Sequence, residues 1–206
     1  MAYVKASERR GQIVTATRAV LERDGVAGTT LRAVAAEADI PLGTLHYVFP
    51  SRDLLLTAVT EDIAGDVAAL LGAVVDLGGG LEQAIRGGLA GYWEQMVVGG
   101  RGLLLVQYEL LTHALRTPGM ENLARWQVDG YTSVVGAWCR QAAEAAGETC
   151  AVPYDTLARV MVANVNGLIL QYLSDPDPDR SSADLAAMTE MLVHLASPRP
   201  VEGAGS

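Results

Sequence analysis

The sequence predicts an all-α protein of about nine helices, and three observations carry that expectation. Apolar residues return at the i, i+3, i+4, i+7 spacing along most of the 206 residues, which is the period of one helix face. No segment of useful length alternates apolar with polar residues as a half-buried strand would, and no internal repeat is visible. Hydrophobic residues make up 50% of the chain with a single Phe among them. Their mass is Ala, Val and Leu, side chains that suit helices packed closely on helices.

The elements follow in chain order. A first helix runs from Ser7 to Asp24, with Ile13, Ala16, Thr17, Val20 and Leu21 as its apolar stripe and arginines on the outer face. Gly25 is a natural stop, and Val26-Ala27-Gly28 forms a short turn. Thr29 or Thr30 caps a second helix whose apolar positions are Leu31, Val34, Ala35 and Ala38. Asp39-Ile40-Pro41 makes a tight turn, since Asp tolerates left-handed backbone and Pro41 fits a helix's first position. A very short helix from Leu42 to Phe49 is ended by Pro50. Ser51 caps a fourth helix that reaches Val75. Asp76-Leu77-Gly78-Gly79-Gly80 is the clearest flexible break. Further helices are expected near 81–98, 101–116, 119–146 and 153–174. DPDPDRSS (175–182) reads as a proline-interrupted acidic loop, a last helix lies near 182–196, and SPRPVEGAGS reads as a disordered tail.

Composition and charge narrow the function. No apolar stretch reaches the ~18 residues of a membrane span, and MAYVKASERR lacks the apolar core of a signal peptide, so a cytoplasmic protein without a membrane partner is expected. Cys139 and Cys150 are too few and too far apart for a disulfide framework or a CxxC site. Net charge is −9, which at first argues against nucleic acid. The distribution reverses that: residues 1–56 hold seven basic and six acidic side chains, and residues 57–206 hold eight and eighteen. A near-neutral head with arginines on one face can still approach phosphates that an acidic body repels. His46, His113 and His194 lie far apart, with no HExxH, P-loop or GxSxG nearby. No catalytic residue, metal ligand or cofactor is therefore expected.

The second and third helices are separated by only about three residues, a spacing shared by helix-turn-helix DNA readers and by ordinary helical hairpins. The side chains around that turn decide between them. GVAGTTLRAVAAEADIPLGTLHYVFPSRDLLLTAV (25–59) resembles the DNA-binding domain of the TetR family of bacterial regulators. The matching positions are Gly25, Thr30, Leu31, Val34, Ala35, Ala38, Ile40, Gly43, Thr44, Leu45, Tyr47, Phe49, Ser51, Arg52 and Leu54. The resemblance covers residues 8–60 and implies three divisions: a three-helix helix-turn-helix domain (1–56), a helical ligand-binding and dimerisation domain (57–197), and the tail (198–206).

The resemblance implies roles that the residue types can perform. Thr30 at a helix start can bond a phosphate, and Arg32 can reach a phosphate or a guanine edge. Leu42, Gly43 and Thr44 begin the recognition helix: Leu42 can touch a thymine methyl, Gly43 permits close approach, and Thr44 can meet a base or a phosphate. Tyr47 and Arg52 are expected on the backbone, with Leu45 and Phe49 in the core. Asp39 stands where the family usually has Gly, and His46 where it usually has Tyr, a side chain that binds phosphate better when charged. Readout is expected to lean on Arg32, Thr44 and DNA shape.

Beyond residue 60 the resemblance is one of architecture. RVMVANVNGLILQYL (159–173) is apolar nearly all round, and Ala163 and Gly167 leave a smooth stripe. Val160, Ala163, Gly167 and Leu170, with Met188 and Leu192 of the last helix, are the expected homodimer seam. The middle helices carry Tyr92, Trp93, Met96, Gln107, Tyr108, His113, Trp126, Tyr131 and Asn164, from which a largely apolar pocket for a small inducer can be built. The expected partner is an inverted-repeat operator in duplex DNA, bound by a repressor that the inducer releases. The alternative is an all-helical small-molecule binder or enzyme with no DNA role.

Overall fold

The computed structural model describes residues 6–73, 76–98 and 100–201. Those residues form nine α-helices, a π-helical turn and one ladder of two short strands. They gather into two compact units, one reaching Gly65 and including Gly102–Gln127, the other made of Asp66–Arg101 and the chain from Val128 onward. The partition cuts across the expected boundary at residue 56, because residues 102–127 join the N-terminal helices.

In the first unit α1 (Ala6–Gly28) is broken at Gly25, where φ is 68° and ψ −179°. Glycine is the residue that adopts this backbone without steric cost. Thr30 is the N-cap of α2 (Leu31–Glu37), its Oγ1 accepting the Ala33 N–H at 3.1 Å. Thr29 is buried instead and donates to the Gly25 carbonyl at 2.8 Å. Asp39 adopts the left-handed conformation expected of it, with φ 50°. Pro41 stands one place earlier than expected, as the extended N-cap of α3 (Leu42–Val48). The Ser51 hydroxyl accepts the Leu54 N–H at 3.2 Å, at the start of α4 (Arg52–Ala73); the expected continuation to Val75 lies outside the described residues. Ile13, Leu21, Val34, Leu45, Phe49 and Leu55 are the buried core of these helices. α6 (Arg101–Arg116) and the start of α7 (Glu121–Ala146) complete the unit. Ala114, Met120 and Ala124 bury one another at their junction.

In the second unit α5 (Gly80–Tyr92) ends in the π-helical turn Trp93–Val98, where one uninterrupted helix was expected. α8 (Tyr154–Ser174) packs on α9 (Pro178–Ala196), and α9 on α5. The acidic loop is shorter than expected. Asp177 caps α9 by accepting the Arg180 N–H at 3.0 Å, and Pro178 occupies the first helical turn, a position where its missing N–H is no loss. The proline expected to interrupt the chain is a helix start. The tail departs from expectation too: Arg199–Pro200 (β2) pairs antiparallel with Glu148–Thr149 (β1). Disorder expected from residue 202 onward lies outside the described residues.

Candidate nucleic-acid interface

α3 sorts its side chains sharply. Leu45 and Phe49 point inward with 0% and 1% of their surface exposed, whereas Tyr47 is 89% exposed. His46 and Gly43 are also exposed, and Leu42 and Thr44 are half-buried. No protein atom lies within 4 Å of where a Cβ on Gly43 would stand, so that side of the helix is open to a close neighbour. The turn before α3 is fixed by Ile40 N–H donating to the Ala35 carbonyl at 3.0 Å and Asp39 N–H to Ala36 at 3.2 Å. The Gln12 amide donates to the Ala38 carbonyl at 2.8 Å, closing α2 from the first helix. Arg10 lies over the Phe49 ring at 4.8 Å. Neither Gln12 nor Arg10 was singled out from sequence, since each acts on a partner more than two dozen residues away.

Charge on the surface of the first unit is partly cancelled. Arg18 pairs with Asp62 at 2.8 Å, and Arg23 with Asp24 at 3.0 Å and Glu37 at 2.8 Å. Arg32 is exposed and has no ion-pair partner among the described residues. Thr30 is exposed, and as a cap it uses only its oxygen, so its hydroxyl proton remains available to an acceptor.

Arg52 departs from expectation. Its guanidinium does not project as a phosphate clamp: Nε donates to the Thr29 carbonyl at 2.7 Å and Nη2 to the Val26 carbonyl. The turn between α1 and α2 holds it, the Val26 carbonyl accepting from Arg52 as well as from the Thr29 N–H at 3.2 Å.

A cleft of about 810 Å³ in the same unit is lined by Val26, Arg52, Leu105, Tyr108, Glu109 and His113, among others. Of the nine residues expected to form a pocket, Tyr108 and His113 meet here. Burial pushes the Tyr108 hydroxyl up to about 12. Trp126 is 48% exposed, and Gln107, beside Tyr108, is half-buried. The second unit holds the others: Trp93 and Met96 are buried, with Trp93 edge-on to Tyr172 at 5.8 Å. Tyr92, Tyr131 and Asn164 are half-buried. Asn164 lines a groove with Ala163, Gly167 and Met188. That groove follows the expected seam, and Leu170 and Met191 are about half exposed at 49% and 50%. Val160 is half-buried. Two expected seam residues are buried: Met188 is 6% exposed, reaching the surface where it lines the groove, and Leu192 is 0% exposed, packed inside the unit with no surface to offer a partner.

Among the described residues no group of three His, Cys, Asp or Glu side chains is placed to hold a metal ion, and no helix is long and apolar enough to cross a membrane.

Comparison with known proteins meets this geometry at both ends of the chain. Residues 13–59 match the family described as bacterial regulatory proteins, tetR family, and residues 84–198 that described as tetracyclin repressor-like, C-terminal domain. The HTH-type nicotine-responsive transcriptional repressor HdnoR of Paenarthrobacter nicotinovorans is 28% identical over 177 residues, 86% of this chain and 90% of that one. The multidrug binding protein EbrR, solved with ethidium, is 30% identical with a TM-score of 0.68, over 94% of this chain and 100% of that one. A TetR-family member from Streptomyces coelicolor A3 is also 30% identical, with a TM-score of 0.67, over 94% and 99%.

Proposed function

The chain belongs to the TetR family of bacterial regulators, and from that membership we propose that it is a cytoplasmic homodimeric repressor that a small, largely apolar inducer releases from an inverted-repeat operator. It is a helix-turn-helix transcriptional regulator and not an enzyme. The observation that carries the DNA-reading role is α3: a seven-residue helix anchored by Leu45 that turns Gly43, His46 and Tyr47 outward.

The residues divide by role. Tyr47, Thr30 and His46 bond phosphates, which set register without reading sequence. Arg32 and Thr44 reach base edges, Leu42 meets a thymine methyl, and Gly43 lets the backbone come near. Arg52 acts indirectly, by fixing the turn from which α2 starts. α8 and α9 pair with a second copy through Val160, Ala163, Gly167, Leu170 and Met188, extended by Met191. Such a dimer sets two copies of α3 about one turn of DNA apart, ~34–36 Å or slightly more. Functionally the chain divides into the reading head at 1–56 and the ligand-binding and dimerisation part at 57–197.

The inducer reading draws on relatives whose names record nicotine and ethidium, compact aromatic molecules. Tyr108 and His113 are proposed to meet the inducer in the cleft. Tyr92, Trp93, Met96, Gln107, Trp126, Tyr131 and Asn164 do not line that cleft and are not among its proposed contacts.

Selection of bound sequences from random DNA tests the reading. The wild type should enrich an inverted repeat. Arg32→Ala should relax the preference at one position per half-site, with a cost of about 1–3 kcal/mol for the favoured base. Tyr47→Phe should weaken binding to all sequences alike. An Arg32→Ala profile identical to that of the wild type removes Arg32 from base readout, and failure to enrich any sequence removes the operator.

A further inference from the structure

We infer that Glu109 is the positioning residue that holds the α1–α2 turn, and with it the helix-turn-helix, in its DNA-reading placement. This deepens the repressor reading and rests on it.

Glu109 lies on α6, 83 residues from the turn, yet its Oε2 accepts the Val26 N–H at 2.7 Å. A carboxylate accepting a backbone N–H is a charge-assisted bond, stronger than a neutral one. The seat is shaped for it. A Cβ on Gly25 would stand 2.9 Å from Glu109 Oε2 and 3.3 Å from Oε1, and Gly25 has φ 68°. Glycine suits the backbone there, and a Cβ would crowd the carboxylate in its bonded position.

The same turn is gripped from α4. Arg52 donates to the carbonyls of Val26 and Thr29, so α4 holds the turn's acceptors while α6 holds its donor. Inside the turn, Thr29 ties back to both Gly25 and Val26. Thr30 then caps α2 directly, and α2 is bonded to the residues that lead into α3. The reading helices therefore leave from a node with two external anchors. Both anchors line the cleft, so an occupant of that cleft meets the groups that hold the node.

The test measures the full-length protein on the duplex recovered by selection from random DNA. In the wild type, the Val26 amide should exchange its hydrogen slowly. Glu109→Ala should speed that exchange and weaken binding about tenfold, with oligomeric state unchanged and the melting temperature lowered by only a few degrees. Glu109→Gln, which keeps an acceptor oxygen, should recover most of the affinity. Rapid Val26 exchange in the wild type overturns the inference even if the alanine variant fails to fold. So does a Glu109→Ala protein that loses Val26 protection but binds as the wild type does, or an affinity loss that Glu109→Gln does not recover. A wild type that binds no duplex while Val26 stays protected overturns the DNA-reading role and leaves the tie itself standing.

Discussion

Cys139 and Cys150 show how far environment separates two identical side chains. Cys139 is fully buried beside Met161, its Sγ 4.0 Å from the thioether, and burial pushes its thiol up to about 12. Cys150 is partly exposed. The thiolate is the reactive form, so a thiol reagent at pH 8 should titrate one cysteine in the native protein and two after denaturation. The sign of the pH effect follows. The folded thiol ionises later than the unfolded one at ~8.5, so the unfolded chain binds fewer protons above that pH, and Cys139 lowers stability as pH climbs toward 12. Cys139→Ala should flatten that decline in alkaline melts. At this scale the sequence was legible where a residue's own chemistry decides its fate. Leu45 and Phe49 could be assigned to the core because the helical period leaves them no other face. Arg52 could not be read, because a guanidinium at a helix start is chemically ready for a phosphate or a carbonyl, and only folding brings the Val26 and Thr29 carbonyls to it.

Elements were read best where local signals agree. The Asp39 turn is one such place: a side chain tolerant of left-handed backbone sits between two short helices, and its φ is 50°. Tolerance is still a strain that glycine relieves. Asp39→Gly should raise stability by about 0.5 kcal/mol in denaturant melts. Removing a carboxylate beside the DNA face should also strengthen operator binding at low salt, an effect that fades as salt screens it. A binding gain that persists unchanged at high salt would point to geometry instead of charge. The start of α9 at Pro178 differs from expectation for an equally physical reason. Asp-Pro repeats look like loop, but Asp177-Pro178 is a cap followed by a proline in the first turn, and the pattern alone does not say which Asp-Pro of the two begins the helix. The β1–β2 ladder had no signal at all, because strands of two residues are too short to show alternation.

For the whole molecule, the seam expected from α8 and α9 rests on a face whose exposed residues are largely small or apolar. Leu170 and Met191 are half exposed there, and Ala163 and Gly167 border the groove. A twofold interface meets every substitution twice. Leu170→Glu should therefore give a folded monomer by sedimentation, with operator affinity reduced at least tenfold. A Leu170→Glu protein that remains dimeric would move the seam elsewhere. The expected seam also included Leu192, which its own unit buries, since a helical period identifies an apolar side without saying which part its own unit covers. The same reach beyond sequence shows in two long-distance carboxylate ties. Glu148 accepts the Leu81 N–H at 2.8 Å beside Gly80, whose φ is 81°, as Glu109 accepts that of Val26 beside Gly25. They join residues 67 and 83 apart, as the Arg86–Glu190 pair joins residues 104 apart. Closing loops of that span costs chain entropy that helical contacts do not, so we expect these ties to form after the helices have docked. Their strength therefore acts on how long the native state lasts before it opens, while the speed of reaching it is set by the helices.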